Sequence, residues 1–140
     1  MLKGISPFIS PELIKILMEM GHGDEIVLAD ANFPAVNYAK RLIRCDGVSI
    51  IDLLPAILEL FPLDTYSENS YMLMQVVDGD ICKTDIWDSY GGIVKKHNSN
   101  KPKMIERFDF YERTKNAFAI VATGEKAQYA NIIIKKGVVK

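Results

Sequence analysis

The chain has two histidines, and one of them stands between glycines in the stretch M-G-H-G-D-E-I-V-L-A-D-A. Histidine is the side chain whose ordinary pKa allows proton exchange near neutrality, so His22 is the leading candidate for general acid or base work. Gly21 and Gly23 put no bulk beside its ring. The other reading is a residue at a helix end, where the dipole favours a charged imidazole. Asp30 follows the short apolar run 25–29, at the carboxyl end of a strand, where open α/β sheets place ligands. It could also be a turn residue or a helix cap. By this spacing, Asp30 faces the same cleft as His22.

Three further positions carry useful polar chemistry. Arg107 lies among aromatic residues in I-E-R-F-D-F-Y-E-R, and a guanidinium there can hold an oxygen-rich ligand with forked donors. An inter-strand or subunit salt bridge would use it equally well. Tyr129 and Asn131 flank Ala130 just ahead of the last apolar run. Phenol and amide groups suit sugar hydroxyls, although asparagine is common in turns for its own reasons. Asp24 and Glu25 read as solvated. A metal set drawn from His22, Asp24, Asp30 and His97 has no recognised spacing. The sequence contains no P-loop, dinucleotide fingerprint or nucleophile elbow.

These residues need elements to hold them. Ser10-Pro11-Glu12 starts a helix, with Ser as N-cap, Pro in the first turn and an acid behind it. Gly21 or Gly23 ends it. Residues 25–29 form a buried strand. Ser49 with Asp52 resembles a capping box for a second helix, within which Pro55 implies a kink or a later start. Residues 71–77 read as a strand, closed by the turn Asp78-Gly79-Asp80. A helix is expected from Thr84 to Gly91-Gly92, and a polar loop over 97–102. A strand over 104–108 leads to a short helix through Tyr111, and strands follow over 117–122 and 132–134. Helices alternate with apolar strands, so the class is α/β.

The composition sets outer limits. At 140 residues, with 49% hydrophobic and 25% charged content, the chain reads as a single domain, 1–140, with a core that needs no staples. A net charge of −1 supplies no basic excess for a nucleic acid partner. Cys45 and Cys82 fit no zinc spacing and read as reduced thiols of a cytoplasmic protein. No signal peptide or membrane span is visible.

Together, G-H-G-D-E, A-D-A with F-P, I-R-C-D-G, R-F-D-F-Y-E-R and T-G-E-K-A-Q-Y-A-N-I-I-I-K-K-G-V resemble the fucose branch of the ribose-pyranase/fucose-mutarotase family. The opening L-K-G-I-S-P-F-I-S-P-E-L is similar too. The resemblance spans nearly the whole chain, and R-F-D-F-Y-E-R sets the fucose branch apart from the ribose branch. It implies a three-layer α/β/α domain with a central mixed sheet. It implies that His22 is the proton donor and that Asp30, Arg107, Tyr129, Ala130 and Asn131 bind the sugar. The implied activity is interconversion of the anomers of L-fucose without cofactor or metal, with D-ribose pyranase or a sugar-binding accessory as alternatives. Assembly into a homo-oligomer, often a decamer of two pentamers with sites near subunit boundaries, is implied as well. One segment departs from the pattern. Asn32-Phe33-Pro34-Ala35-Val36 stands where the fucose branch often carries histidines, which bears on sugar preference.

Overall fold

A computed structural model describes residues 1–98 and 100–140. Six strands form one sheet: β1 (Glu25–Ala29), β2 (Leu42–Cys45), β3 (Tyr71–Met74), β4 (Lys103–Ile105), β5 (Ala119–Thr123) and β6 (Ile132–Lys135). Their order across the sheet is β2-β5-β1-β6-β3-β4. β1, β5 and β2 are mutually parallel, as are β3 and β4. β6 runs against both of its neighbours, β1 and β3. The sheet is therefore mixed, with a single reversed strand near its centre.

Side chains alternate across this sheet because successive residues of a strand point to opposite faces. Ile26, Leu28, Val121, Ile132, Ile134 and Leu73 join one core. Val27, Ala29, Ile120, Ile133 and Met72 join another. Burial on both faces explains why these strands read as unbroken apolar runs. The first core is covered by α1 (Pro11–Glu19), α3 (Ile50–Leu58) and α4 (Asp85–Val94), the second by α2 (Ala35–Tyr38) and α5 (Arg107–Asn116). Helices on both faces make this the three-layer α/β/α arrangement.

The caps act as expected. Ser10 Oγ accepts from the Leu13 N–H at 3.1 Å, with Pro11 in the first turn. Ser49 Oγ accepts from the Asp52 N–H at 3.2 Å. α3 starts at once and runs through Pro55, so the proline neither delays nor ends it. Four residues of α3 with no exposed surface, Ile50, Leu53, Leu54 and Ile57, outweigh the hydrogen bond that Pro55 cannot donate. At about 1.5–3 kcal/mol for each such side chain, that is a comfortable margin over the ~3 kcal/mol an interior proline costs.

Other boundaries differ from the sequence reading. α1 ends at Glu19, with Met20 as its extended C-cap; Gly23 takes the left-handed conformation (φ +87°) in the turn that follows. α4 continues through Gly91-Gly92 because Tyr90 and Val94, on either side, are buried and anchor it. β3 stops at Met74, short of Val77. The strand expected over 104–108 is only Lys103–Ile105, and the helix after it is the longer element. Ser99, in the polar loop expected over 97–102, lies outside the described residues. Glu25 is not merely solvated: Arg113 on α5 holds it in a forked pair, Nε to Oε2 at 2.9 Å and Nη2 to Oε1 at 2.6 Å.

Candidate functional site

Strand direction decides which residues meet. β1 to β5 all end at one edge of the sheet, and the reversed β6 begins there. Asp30, the Gln75 segment, Arg107 and the 129–131 segment are thereby gathered at a single edge. They surround a cleft of about 380 Å³ lined by Asp30, Asn32, Phe33, Arg107, Tyr129 and Asn131, among others.

Asp30 and Asn131 are locked together at its floor. Asn131 Oδ1 accepts from the Asp30 N–H at 2.8 Å, and Asn131 Nδ2 donates to Asp30 Oδ2 at 2.9 Å. Asp30 Oδ1 takes the Asn32 N–H at 2.9 Å. Both side chains are buried. Burial raises the Asp30 carboxyl above its ordinary value, against the opposing effect of bonds from Asn32, Phe33 and Asn131, and the charge of Glu125 raises it further.

Arg107 occupies the first position of α5, whose cap is Glu106, with Oε2 accepting from the Phe108 and Asp109 N–H groups. A cation at a helix N-terminus opposes the dipole, a local conflict of the kind found at functional positions. Its guanidinium lies 5.7 Å from the centroids of both Phe108 and Tyr111, and among the described residues it makes no ion pair. Tyr111 and Phe33, 5.5 Å apart, give the cleft an aromatic wall.

Tyr129 has φ +54°, the one positive φ among the described non-glycine residues. Such backbone costs of order 1–3 kcal/mol and persists only where neighbours enforce it. Two side chains of α4 do so. Trp87 Nε1 donates to the Tyr129 carbonyl at 2.8 Å, and the Tyr90 hydroxyl to the Ala130 carbonyl at 2.7 Å. This turns the phenol into the cleft, where it donates to Asp80 Oδ2 at 2.6 Å. The Asp80 carboxylate raises the phenol's pKa, keeping it protonated. Ala130 itself packs into the core beneath and does not line the cleft.

His22 is elsewhere. It precedes β1, at the opposite edge, where Gly23 N–H donates to Lys136 O. With a strand rise of ~3.3 Å per residue, about 20 Å of β1 and its flanks separate it from Asp30. The two do not share a cleft within one chain. At its own edge, His22 Nε2 lies 3.2 Å from Asp64 Oδ1, and its ring packs 5.2 Å from Tyr66. Asp64 is buried. Desolvation alone would raise its carboxyl; bonds from the Ser67 hydroxyl, the Tyr66 N–H, His22 and the Ser67 N–H together hold it well below the usual carboxylate range. Facing a carboxylate, Nε2 is the ring nitrogen placed to donate when it is protonated. Sequence reasoning missed Asp64 and Asp80. Asp80 sits in a segment that reads as a plain turn and Asp64 in one that carries no motif, 49 and 42 residues from their partners.

A second cleft of about 380 Å³ lies on the other flank of the Asp30 turn, beside Arg44, Asp46, Gly124 and Lys126. Its guanidinium is committed to Asp46. Gly124 is required at this edge, since a Cβ there would come 2.2 Å from the Asp46 carbonyl oxygen. Among the described residues, no group of three or more His, Cys, Asp or Glu side chains is placed to hold a metal ion.

Residues 3–139 match the RbsD / FucU transport protein family. The chain belongs to that family. It is 54% identical over 140 residues to the L-fucose mutarotase of Histophilus somni (strain 2336), covering 99% of this chain and 97% of that one. It is 54% identical over 145 residues to the fucose mutarotase of Danio rerio, covering 99% and 94%. A crystal structure of the fucose mutarotase in complex with L-fucose from Streptococcus pneumoniae superimposes with a TM-score of 0.94, at 56% identity, covering 99% of this chain and 100% of that one. Membership of the RbsD/FucU family thus covers both edges of the sheet, the His22 pair as well as the cleft.

Proposed function

We propose that this protein is an L-fucose mutarotase, an isomerase that interconverts the α and β anomers of L-fucose, and that the whole chain, 1–140, works as a single domain. The observation that carries the reading is the likeness to fucose mutarotases over 99% of the chain. It is joined by a neutral-sugar-sized cleft walled by Arg107, Tyr129, Asn131 and an aromatic face. The reaction opens a cyclic hemiacetal, lets C1 turn and closes it again. A proton must reach the ring oxygen and another must leave the anomeric hydroxyl.

His22 is the proton donor in this reading, and it reaches the cleft from a second copy of the chain. The support is its place at the sheet edge opposite Asp30, half exposed, with Nε2 engaged by Asp64. A closed ring of copies, two rings of five, satisfies this requirement at every site by one repeated contact. A role in fucose metabolism goes with this reading, and the free thiols of Cys45 and Cys82 suit a cytoplasmic location. Among the described residues, no helix is long and apolar enough to cross a membrane. Saturation transfer between the anomeric proton signals of L-fucose, with D-ribose as a second arm, tests the activity. Exchange of fucose no faster than the spontaneous rate overturns it, and exchange of ribose alone makes the protein a pyranase. A monomer by light scattering would remove the two-copy site.

The structure separates two sugar-binding variants that the sequence treats alike. Arg107 is exposed, so Arg107→Ala should leave the melting temperature unchanged. Loss of a charged hydrogen bond, ~1.5–3 kcal/mol, should raise the half-saturating fucose concentration by about 10- to 100-fold. Asn131→Ala strips partners from the Asp30 N–H and carboxylate, so it should also lower stability by about 1–3 kcal/mol. Thermal melts beside the exchange assay distinguish them.

A further inference from the structure

The mechanism above lacks an acceptor for the anomeric hydroxyl's proton. Asp30 is poorly placed for that role. Its carboxylate is committed to structure at the buried floor, bonded through Oδ1 to the Asn32 N–H and through Oδ2 to the Asn131 amide that ties β1 to the 131 segment. We propose that Tyr129 and Asp80 form a proton relay, with the Tyr129 phenol touching the anomeric oxygen and Asp80 positioned behind it to take the proton. The proposal rests on the fucose mutarotase reading and supplies the group which that reading leaves open.

Three observations carry it. Tyr129 and Asp80 both line the cleft, and they share a 2.6 Å hydrogen bond in which the phenol is the donor. Strained backbone at Tyr129 is maintained by the Trp87 indole, so the phenol's position is enforced from the layer beneath. Asp80 is turned back toward it by a tight turn, with Asp80 N–H donating to Val77 O at 3.0 Å and Gly79 at φ +85°. The Val77 N–H approaches the phenol oxygen at 3.4 Å. That oxygen has two lone pairs, so one remains for a substrate proton.

The step balances without an outside reactant. On opening, the O1–H proton passes to Tyr129 Oη while the phenol proton passes to Asp80 Oδ2. The O1 electron pair forms the carbonyl, the C1–O5 bond breaks, and O5 takes a proton from the partner subunit's His22, which enters the step as the imidazolium and leaves it neutral. Closure on the other face of C1 reverses each transfer, so all three groups return to their starting states.

Steady-state anomeric exchange by saturation transfer tests the relay with Asp80→Asn, Tyr129→Phe and the double variant. Asp80 is exposed, so the amide variant keeps the fold. The expected result is kcat lowered about 10²-fold by Asp80→Asn, with KM within about twofold, and no further loss when Asp80→Asn is added to Tyr129→Phe. An undiminished kcat, a rise in KM alone, or losses that multiply in the double variant would each overturn the relay. If the wild-type protein itself leaves fucose exchange at the spontaneous rate, the mutarotase reading falls and the relay with it. Wild-type exchange matched by Asp80→Asn removes the relay alone.

Discussion

His22→Ala should reduce catalysed exchange of the fucose anomers by about 10²–10⁴-fold, the usual worth of a positioned general acid, while the fold is kept and stability falls only by the one bond to Asp64, about 1 kcal/mol. The ring is half exposed and fills no core position, so little packing is lost. Its removal instead leaves O5 to be protonated by water. Because His22 and the cleft occupy opposite edges of the sheet, the variant also tests where each site gets its acid. A His22→Ala subunit keeps an intact cleft, and an Arg107→Ala subunit keeps an intact histidine. Mixed, unfolded and reassembled together, these two weak variants should recover activity, since some sites then combine a good cleft with a good histidine. Recovery that is absent despite mixed assembly would place the acid within one chain. His22→Ala exchange at the wild-type rate would remove the histidine from the mechanism.

Asp64→Asn should act on two observables, stability and exchange. Folding lowers the Asp64 pKa, so the unfolded chain binds more protons than the native one at acid pH. The stability this contributes is complete above the ordinary carboxylate value of about 4 and is lost as pH falls through the acid range toward the native value. An amide cannot accept from the Tyr66 N–H, the Ser67 N–H and hydroxyl and His22 with both of its atoms. The variant should therefore lose about 1–3 kcal/mol at neutral pH and converge on wild type in acid. Exchange should fall by about tenfold or more, because the ring nitrogen that donates to Asp64 is no longer specified, as when the orienting acid of a catalytic histidine is removed. Denaturant titrations at several pH values check the first effect and saturation transfer the second. A lower stability with full exchange would make Asp64 a support of the loop alone.

Local signals were legible where one residue type has one structural use. Ser10-Pro11 and Ser49 announce helix starts because few other arrangements satisfy the first N–H groups. The apolar runs of β1, β5 and β6 announce a sheet covered on both faces. β2 carried no such signal: as an edge strand it alternates exposed Leu42 and Arg44 with buried Ile43 and Cys45. α5 was read too short, through Tyr111, because its interior is crowded with aromatic and charged residues and only Glu106 marks its start. The site divided along the same line. Asp30, Arg107, Tyr129 and Asn131 stood out by chemical type and converge because strand ends converge. The separation of His22 from Asp30 depends on strand direction, and spacing along the chain does not encode it. Asp64 and Asp80 become meaningful only through distant partners.

The position of β6 also governs how the molecule comes together in time. It is last of the six strands in chain order, yet it lies between β1 and β3 and joins β2-β5-β1 to β3-β4. Until residues 132–135 are available, the earlier strands form two separate part-sheets whose inner edges, β1 and β3, have unpaired backbone groups. Inserting one strand between two waiting edges is a non-local step, so its closure should limit the refolding rate. Open apolar edges are templates for association. A chain lacking residues 132–135 should therefore aggregate under conditions where the full chain refolds, since only those four residues close both open edges.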